Sequence, residues 1–241
     1  MRRDLEDRRQ GGITDKNMAF IRQAITPKVW GRVTTLPLAM IAEARRQQHA
    51  PIKAAVTAQI AVAIAIESVA PIRLGNLTAI RLHTNLIKLD GPDSNYWLTF
   101  PDYDVKNRVK LDFPLEKNVT ELINEYVHDF RPALLRGRNE DWLFPGQRSG
   151  PKGKTSFSGQ IVARIYKVTG LQMTVHQFRH AAGALILMQR PGEFELVRQL
   201  LDHRNVQTTI NFYIGLRGIQ ASEIFSKIVA AQMEDDGEED E

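Results

Sequence analysis

The chain has 241 residues, 43% of them hydrophobic, and no cysteine. That length and apolar content can bury a large core, so wholesale disorder is excluded, and disulfides and thiolate metal sites are impossible. The formal charge is +4, but seven acids crowd residues 234–241 and the rest of the chain carries a net charge of +11. A basic body suits a polyanionic partner such as nucleic acid. The acidic end, residues 233–241, reads as a disordered tail. It is either a plain solvating end or a mimic of the polyanion that covers the basic body.

Residues 1–30 open with MRRDLEDRRQGG and are broken by Gly11, Gly12 and Pro27. They lack the apolar stretch of a signal peptide and read as a linker or the end of an upstream domain. From Pro37 to Gln48, Leu38, Ile41 and Ala42 mark a short amphipathic helix. Pro51 starts a second helix that runs to about Val69, and Pro71 ends it, because a residue before proline disfavours the helical region. Within it, Ala54–Ala70 comes closest to a membrane span. Gln59, Glu67 and Ser68 interrupt that run, so a core helix and no membrane association are the expectation; the absence of cysteine suggests a cytoplasmic address. Three strand-like segments follow, Leu82–Leu89, Tyr96–Phe100 and Val109–Leu115. Gly91-Pro92-Asp93-Ser94 forms a turn between the first two. Helical patterns return at 116–129, 158–168, 176–189, 193–202, 206–213 and 219–232. Trp142-Leu143-Phe144-Pro145 anchors a Gly-, Ser- and Lys-rich loop over 146–157. No internal repeat is visible. The fold class is α+β, mainly helical, with one small three-stranded antiparallel sheet.

Three segments hold candidate chemistry. In His176-Gln177-Phe178-Arg179 the imidazole and guanidinium share a face if the segment opens a helix, where anions are favoured. The plain alternative is a helix-start histidine beside a surface arginine. In Pro71-Ile72-Arg73-Leu74-Gly75-Asn76-Leu77, Arg73 stands in an apolar stretch. A guanidinium there needs a partner or an anionic ligand, although backbone carbonyls at a helix end would also serve. Third, Leu201-Asp202-His203 precedes Tyr213 by ten residues. A tyrosine by itself is more often a half-buried core residue.

Taken together and in order, Arg73, Lys106, His176-x-x-Arg179, Leu-x-His203 and Tyr213 resemble the tyrosine recombinase, or phage integrase, family, over roughly Thr34 to Leu216. Lys106 stands eight residues before Pro114, as the family lysine stands before the proline that ends the next strand. Thr174-Val175-His176-Gln177-Phe178-Arg179-His180 resembles the His-x-x-Arg-His box, and Leu201-Asp202-His203 through Tyr213 resembles the Leu-Gly-His…Tyr box. This chain departs from the pattern at four places. Asn76 stands where an acid is common, Asp202 and Pro71 where glycine is common, and Phe178 where leucine is common.

The resemblance implies a catalytic domain over 31–232 that cleaves and rejoins double-stranded DNA through a 3′-phosphotyrosyl link to Tyr213. Arg73 and Arg179 would clamp the non-bridging phosphate oxygens, and His203 would donate a further hydrogen bond. His176 would assist proton removal from Tyr213, and Lys106 would protonate the leaving 5′-oxygen, with Lys110 as its competitor. No metal or cofactor is called for. His180 would pack behind the site. Arg45, Arg46, Lys53, Arg108, Lys152 and Lys154 are candidate backbone contacts. The family usually carries an N-terminal helical domain that clamps the other side of DNA. Residues 1–30 are too short for it, so the chain is either a piece of a longer protein, which by itself would bind DNA weakly and salt-sensitively, or a minimal protein. The helix over 219–232 would dock on its own domain or on a neighbouring copy, coupling four protomers on two duplexes. A type IB topoisomerase-like nicking and resealing enzyme, or a silent DNA-binding regulator, would share most of these features.

Overall fold

The computed structural model describes residues 15–105, 110–203, 205–207, 209–210, 225–226 and 228–229. These form two units, Gln23–Ala182 and a second made of 1–22 with 183–241.

The larger unit is built around one buried helix. Helix α2 spans Pro27–Arg46 and α3 spans Pro51–Val69. Nearly every α3 position from Ala54 to Glu67 is buried. Its six alanines over 54–65 keep it slim enough for close neighbours, while Ile60, Ile64 and Ile66 fill the gaps. Each fully buried isoleucine contributes about 1.5–3 kcal/mol. Around α3 pack α2, α5 (Lys117–Glu125), a π-helical turn (Tyr126–Phe130), α6 (Arg131–Leu135) and α7 (Lys154–Thr169). Although α3 has the length and apolarity of a span, 72% of its apolar window is buried in protein.

Helix α2 begins ten residues earlier than the sequence pattern suggested. Thr26-Pro27 supplies the start, and Pro37 lies inside the helix instead of opening it. An interior proline costs about 3 kcal/mol in an isolated helix. Here Val33, Leu36, Pro37, Met40 and Ile41 are buried and offset that cost. A polar strap adds to the packing, because Arg164 on α7 donates to Glu43 on α2 at 3.0 Å and to Thr57 Oγ1 on α3 at 3.1 Å.

The sheet has the order β1 (Leu86–Lys88), β2 (Tyr96–Phe100), β3 (Leu111–Pro114), all antiparallel. Register pairs Leu86 with Leu98 and Leu98 with Phe113. With Phe100 and Leu111 these residues make one buried face, as the two-residue period of a strand requires. The first strand is shorter than expected. His83 takes φ +63°, and Asn85 closes a turn by accepting from the Arg81 N–H and donating to Thr99 O. Residues 83–85 are therefore a turn, and the Leu82 N–H donates to Asp141 O instead of to a strand partner. Short α4 spans Leu74–Thr78.

The loop expected over 146–157 ends early, at Gly153, where α7 begins. Arginines stitch its front: Arg131 donates to Trp142 O and Glu140 O, and Arg138 to Gly146 O. Gly146 has no room for a side chain, since a Cβ would meet Pro151 O at 2.9 Å.

Helix α8 spans Val175–Gln189, and its residues through Ala182 belong to this unit. In the other unit, α1 spans Asp15–Ala24, with residues through Arg22 in it, and α9 spans Phe194–Leu200, burying Phe194 and Val197. Helix α1 lies within residues 1–30, where the sequence suggested a linker or the end of an upstream domain. The helical segments expected over 206–213 and 219–232 fall largely outside the described residues.

Candidate active site

The site in the larger unit forms where α3 ends. Ala70 and Pro71 break the helix, and Arg73 caps α4 with extended backbone (φ −74°, ψ 146°). That turn aims the Arg73 side chain into an open cleft of about 780 Å³, shared with Tyr103, Arg81, Trp142 and Lys154. Lys154 reaches the same cleft, with its Nζ 3.6 Å from where a Cβ on Gly75 would stand, an ordinary contact distance. Arg81 is bound to Asp141 at 3.1 Å and stacked 3.9 Å over the Trp142 ring, so its charge is already engaged.

The first turn of α8 supplies the other two groups. Thr174 and Gln177 form half of a capping box, with the Thr174 N–H donating to Gln177 Oε1 at 2.8 Å. This fixes the start of the helix, so His176 and Arg179, three residues apart, lie on one face. Phe178, between them, is fully buried and meets the Trp30 ring edge-on at 6.2 Å. Arg179 is 5% exposed, and its Nη1 donates to Pro71 O at 2.6 Å. That bond ties α8 to the turn carrying Arg73.

His176 is held below the ordinary imidazole value. Burial is the main cause, and the positive charges of Arg179 and Arg73 add to it. The imidazole is therefore neutral near physiological pH and able to accept a proton. His180, buried, packs its ring edge-on against His176 with centroids 4.3 Å apart.

In the smaller unit, His203 follows α9. Its N–H donates to Arg198 O at 3.0 Å, and its Nδ1 lies 2.9 Å from Thr209 Oγ1. Asp202, just before it, adopts left-handed backbone (φ 50°). Lys106 and Tyr213 lie outside the described residues. Lys110, the competitor of Lys106, is paired with Asp112 at 2.8 Å. Among the described residues no cluster of three metal-ligating side chains occurs.

Of the six expected site residues, the larger unit thus brings together Arg73, His176 and Arg179. Sequence reasoning named Lys154 only as one of six candidate backbone contacts, without placing it beside Arg73, and gave Thr209 no role.

A family model described as the phage integrase family matches residues 41–217. The chain belongs to that family. Tyrosine recombinase XerD of Staphylococcus epidermidis is 30% identical over 132 residues, covering 52% of this chain and 43% of XerD. Transposase A from transposon Tn554 of Staphylococcus aureus is 27% identical over 165 residues, covering 65% of this chain and 43% of the transposase. The chain thus spans under half the length of these two relatives. Among solved structures, the XerH site-specific recombinase in a post-cleavage complex with palindromic difH substrate aligns with TM-score 0.57 at 20% identity. That alignment covers 79% of this chain and 52% of XerH. XerA recombinase aligns with TM-score 0.51 at 16% identity, covering 79% of this chain and 62% of XerA. These likenesses show a shared fold, mostly helical with a small antiparallel sheet.

Two departures from the phage integrase pattern have a physical account. Left-handed backbone at Asp202 is the conformation a glycine would take freely, and aspartate is among the few other residues that tolerate it. Phe178 fills the space against Trp30 where the family commonly has leucine.

Proposed function

We propose that this chain is the catalytic part of a site-specific DNA recombinase or integrase that cuts and rejoins strands through Tyr213. Family membership and recombinase and transposase relatives support the class. The observation that carries it is the convergence of Arg73, Arg179 and a neutral His176 at one turn. This arrangement fits a phosphodiester in transit between two esters, where charge gathers on the non-bridging oxygens. Two guanidinium forks match those oxygens bidentately and supply the positive charge, so the step needs no metal ion.

The Tyr213 phenolic oxygen attacks phosphorus while His176 takes its proton. The bond to the 5′-oxygen breaks, and that oxygen leaves as a hydroxyl after receiving a proton from Lys106. The product is a 3′-phosphotyrosyl ester, which keeps the phosphoester bond in a reactive form so that rejoining needs no ATP. His203 donates to a non-bridging oxygen through Nε2. Its Nδ1 contact with Thr209 supports that role, since a hydroxyl donating to Nδ1 leaves the proton on the other nitrogen.

Residues 31–232 form the catalytic domain in this reading, and double-stranded DNA is the partner. Lys154 beside Arg73 is a phosphate-backbone contact next to the scissile position. Assembly of several copies on DNA follows the same reading. Phe225 and Ile228, 67% and 51% exposed, support docking of the 219–232 segment on another copy.

Incubation with a nicked suicide duplex tests the proposal. Wild type yields a covalent protein–DNA adduct, and Tyr213→Phe yields none while still binding DNA. Binding without any adduct from wild type would overturn the enzymatic reading in favour of a silent regulator. Adduct formation without strand exchange between two marked duplexes would favour a nicking and resealing enzyme.

A further inference from the structure

Gln59 interrupts the apolar run of α3, is fully buried, and has no part in the proposed chemistry. Its Nε2 donates to Pro145 O at 3.3 Å, and its Oε1 accepts from the Lys152 ammonium. Lys152 is held there beside the Phe157 ring, 5.4 Å away. Both neighbours are neutral. An ammonium has three protons to donate, and the amide takes one of them.

Lys152 and Gln59 line a cavity of about 280 Å³ bounded by α3, the end of α6 and the start of α7. Arg136 contributes a second cation to it. This residue follows α6 in left-handed backbone, φ 52°, which a glycine would adopt at lower cost. No Asp or Glu is among the described residues that line the cavity. Its apolar lining includes Ile52, Val56 and Leu134, and Ile52 is 41% exposed. Two cations in one concavity repel each other, and burial adds a desolvation cost. That cost shows on Lys152, whose pKa burial pushes down to about 8. A concave site lined by one sign of charge concentrates counter-ions. A bound anion would relieve the repulsion, and the apolar lining favours an anion with an apolar body.

We propose that this cavity binds a small organic phosphate monoester. The phosphate, close to a dianion at neutral pH, meets Lys152 and Arg136, and the organic body lies against Ile52, Val56 and Leu134. None of these residues lines the cleft that holds Arg73. The site is therefore distinct from the proposed catalytic centre, and it stands whether or not the recombinase reading does.

The experiment is calorimetric titration of the full chain with phenyl phosphate near pH 7, with inorganic phosphate for comparison. Arg73→Gln serves as the background, which weakens phosphate binding in the catalytic cleft. In that background phenyl phosphate is expected to bind saturably, about tenfold more tightly than inorganic phosphate, because only the former buries a ring. Adding Lys152→Met weakens its binding by about tenfold or more. Adding Arg136→Gln, at an exposed side chain, weakens it by about threefold or more. Urea unfolding run in parallel separates lost binding from lost folding. Any of four results would overturn the proposal. The first is no saturable binding, and the second is equal affinity for the two phosphates. The third is unchanged affinity in a folded Lys152→Met variant. The fourth is displacement of phenyl phosphate by duplex DNA, which would make Lys152 a contact to the DNA backbone.

Discussion

Lys152 offers a quantitative test of the packing before α7. Its ammonium is largely buried in a cavity of about 280 Å³ beside Gln59 Oε1, with Arg136 also in the lining and no carboxylate among the described lining residues. The Phe157 ring, 5.4 Å away, is its other neighbour. Burial lowers its pKa from 10.5 to about 8. At 1.36 kcal/mol per unit, that shift corresponds to about 3 kcal/mol of destabilisation while the lysine is charged in both states. The folded pKa lies below the unfolded one, so between about pH 8 and 10.5 the unfolded chain holds a proton that the folded chain has released. Stability from this group therefore rises with pH across that window, and the full penalty is present below it. Lys152→Met removes the penalty but leaves Gln59 Oε1 without its donor, which costs about 1 kcal/mol. The net expectation is a gain of about 2 kcal/mol at pH 7, measured by urea unfolding. At pH 10 the advantage shrinks to near zero or reverses. A difference between variant and wild type that stays constant from pH 7 to 10 would refute the reasoning.

Two further outcomes follow from the site. Because burial, Arg179 and Arg73 all depress His176, the acid limb of the cleavage rate should fall below the ordinary imidazole pKa of about 6.5. Arg73→Gln should move that limb upward, and an unmoved limb would show that His176 does not feel Arg73. Asp202→Gly should leave urea stability equal or higher by up to about 1 kcal/mol, whereas Asp202→Val should lower it, because only the former accepts φ 50° without strain; equal effects would refute the backbone argument.

Much of this architecture can be read locally. The two-residue alternation through Tyr96–Phe100, the apolar run from Ala54 and the His176-x-x-Arg179 spacing each sit within a few residues and survive folding intact. Pro37 misleads because proline signals a helix start locally, and only the burial of Val33, Leu36 and Met40 shows how an interior proline is tolerated. Pro71 and Arg179 are 108 positions apart, and no local pattern records that the turn after α3 meets α8. The sharing of one cleft by Arg73 and Lys154 is equally nonlocal, since they are 81 positions apart. The left-handed turn at Asp202 was visible only as a departure from glycine, and its backbone angle supplies the reason.

The proposed chemistry requires Arg73, Arg179 and His176 to face one scissile phosphate. The most direct measurement compares cleavage of a normal suicide duplex with one carrying a neutral methylphosphonate at the scissile position, using wild type and Arg179→Ala. If Arg179 neutralises a non-bridging oxygen, its loss should be severe on the charged substrate and largely relieved on the neutral one. An equal defect on both substrates would place the guanidinium away from that phosphate and contradict the account.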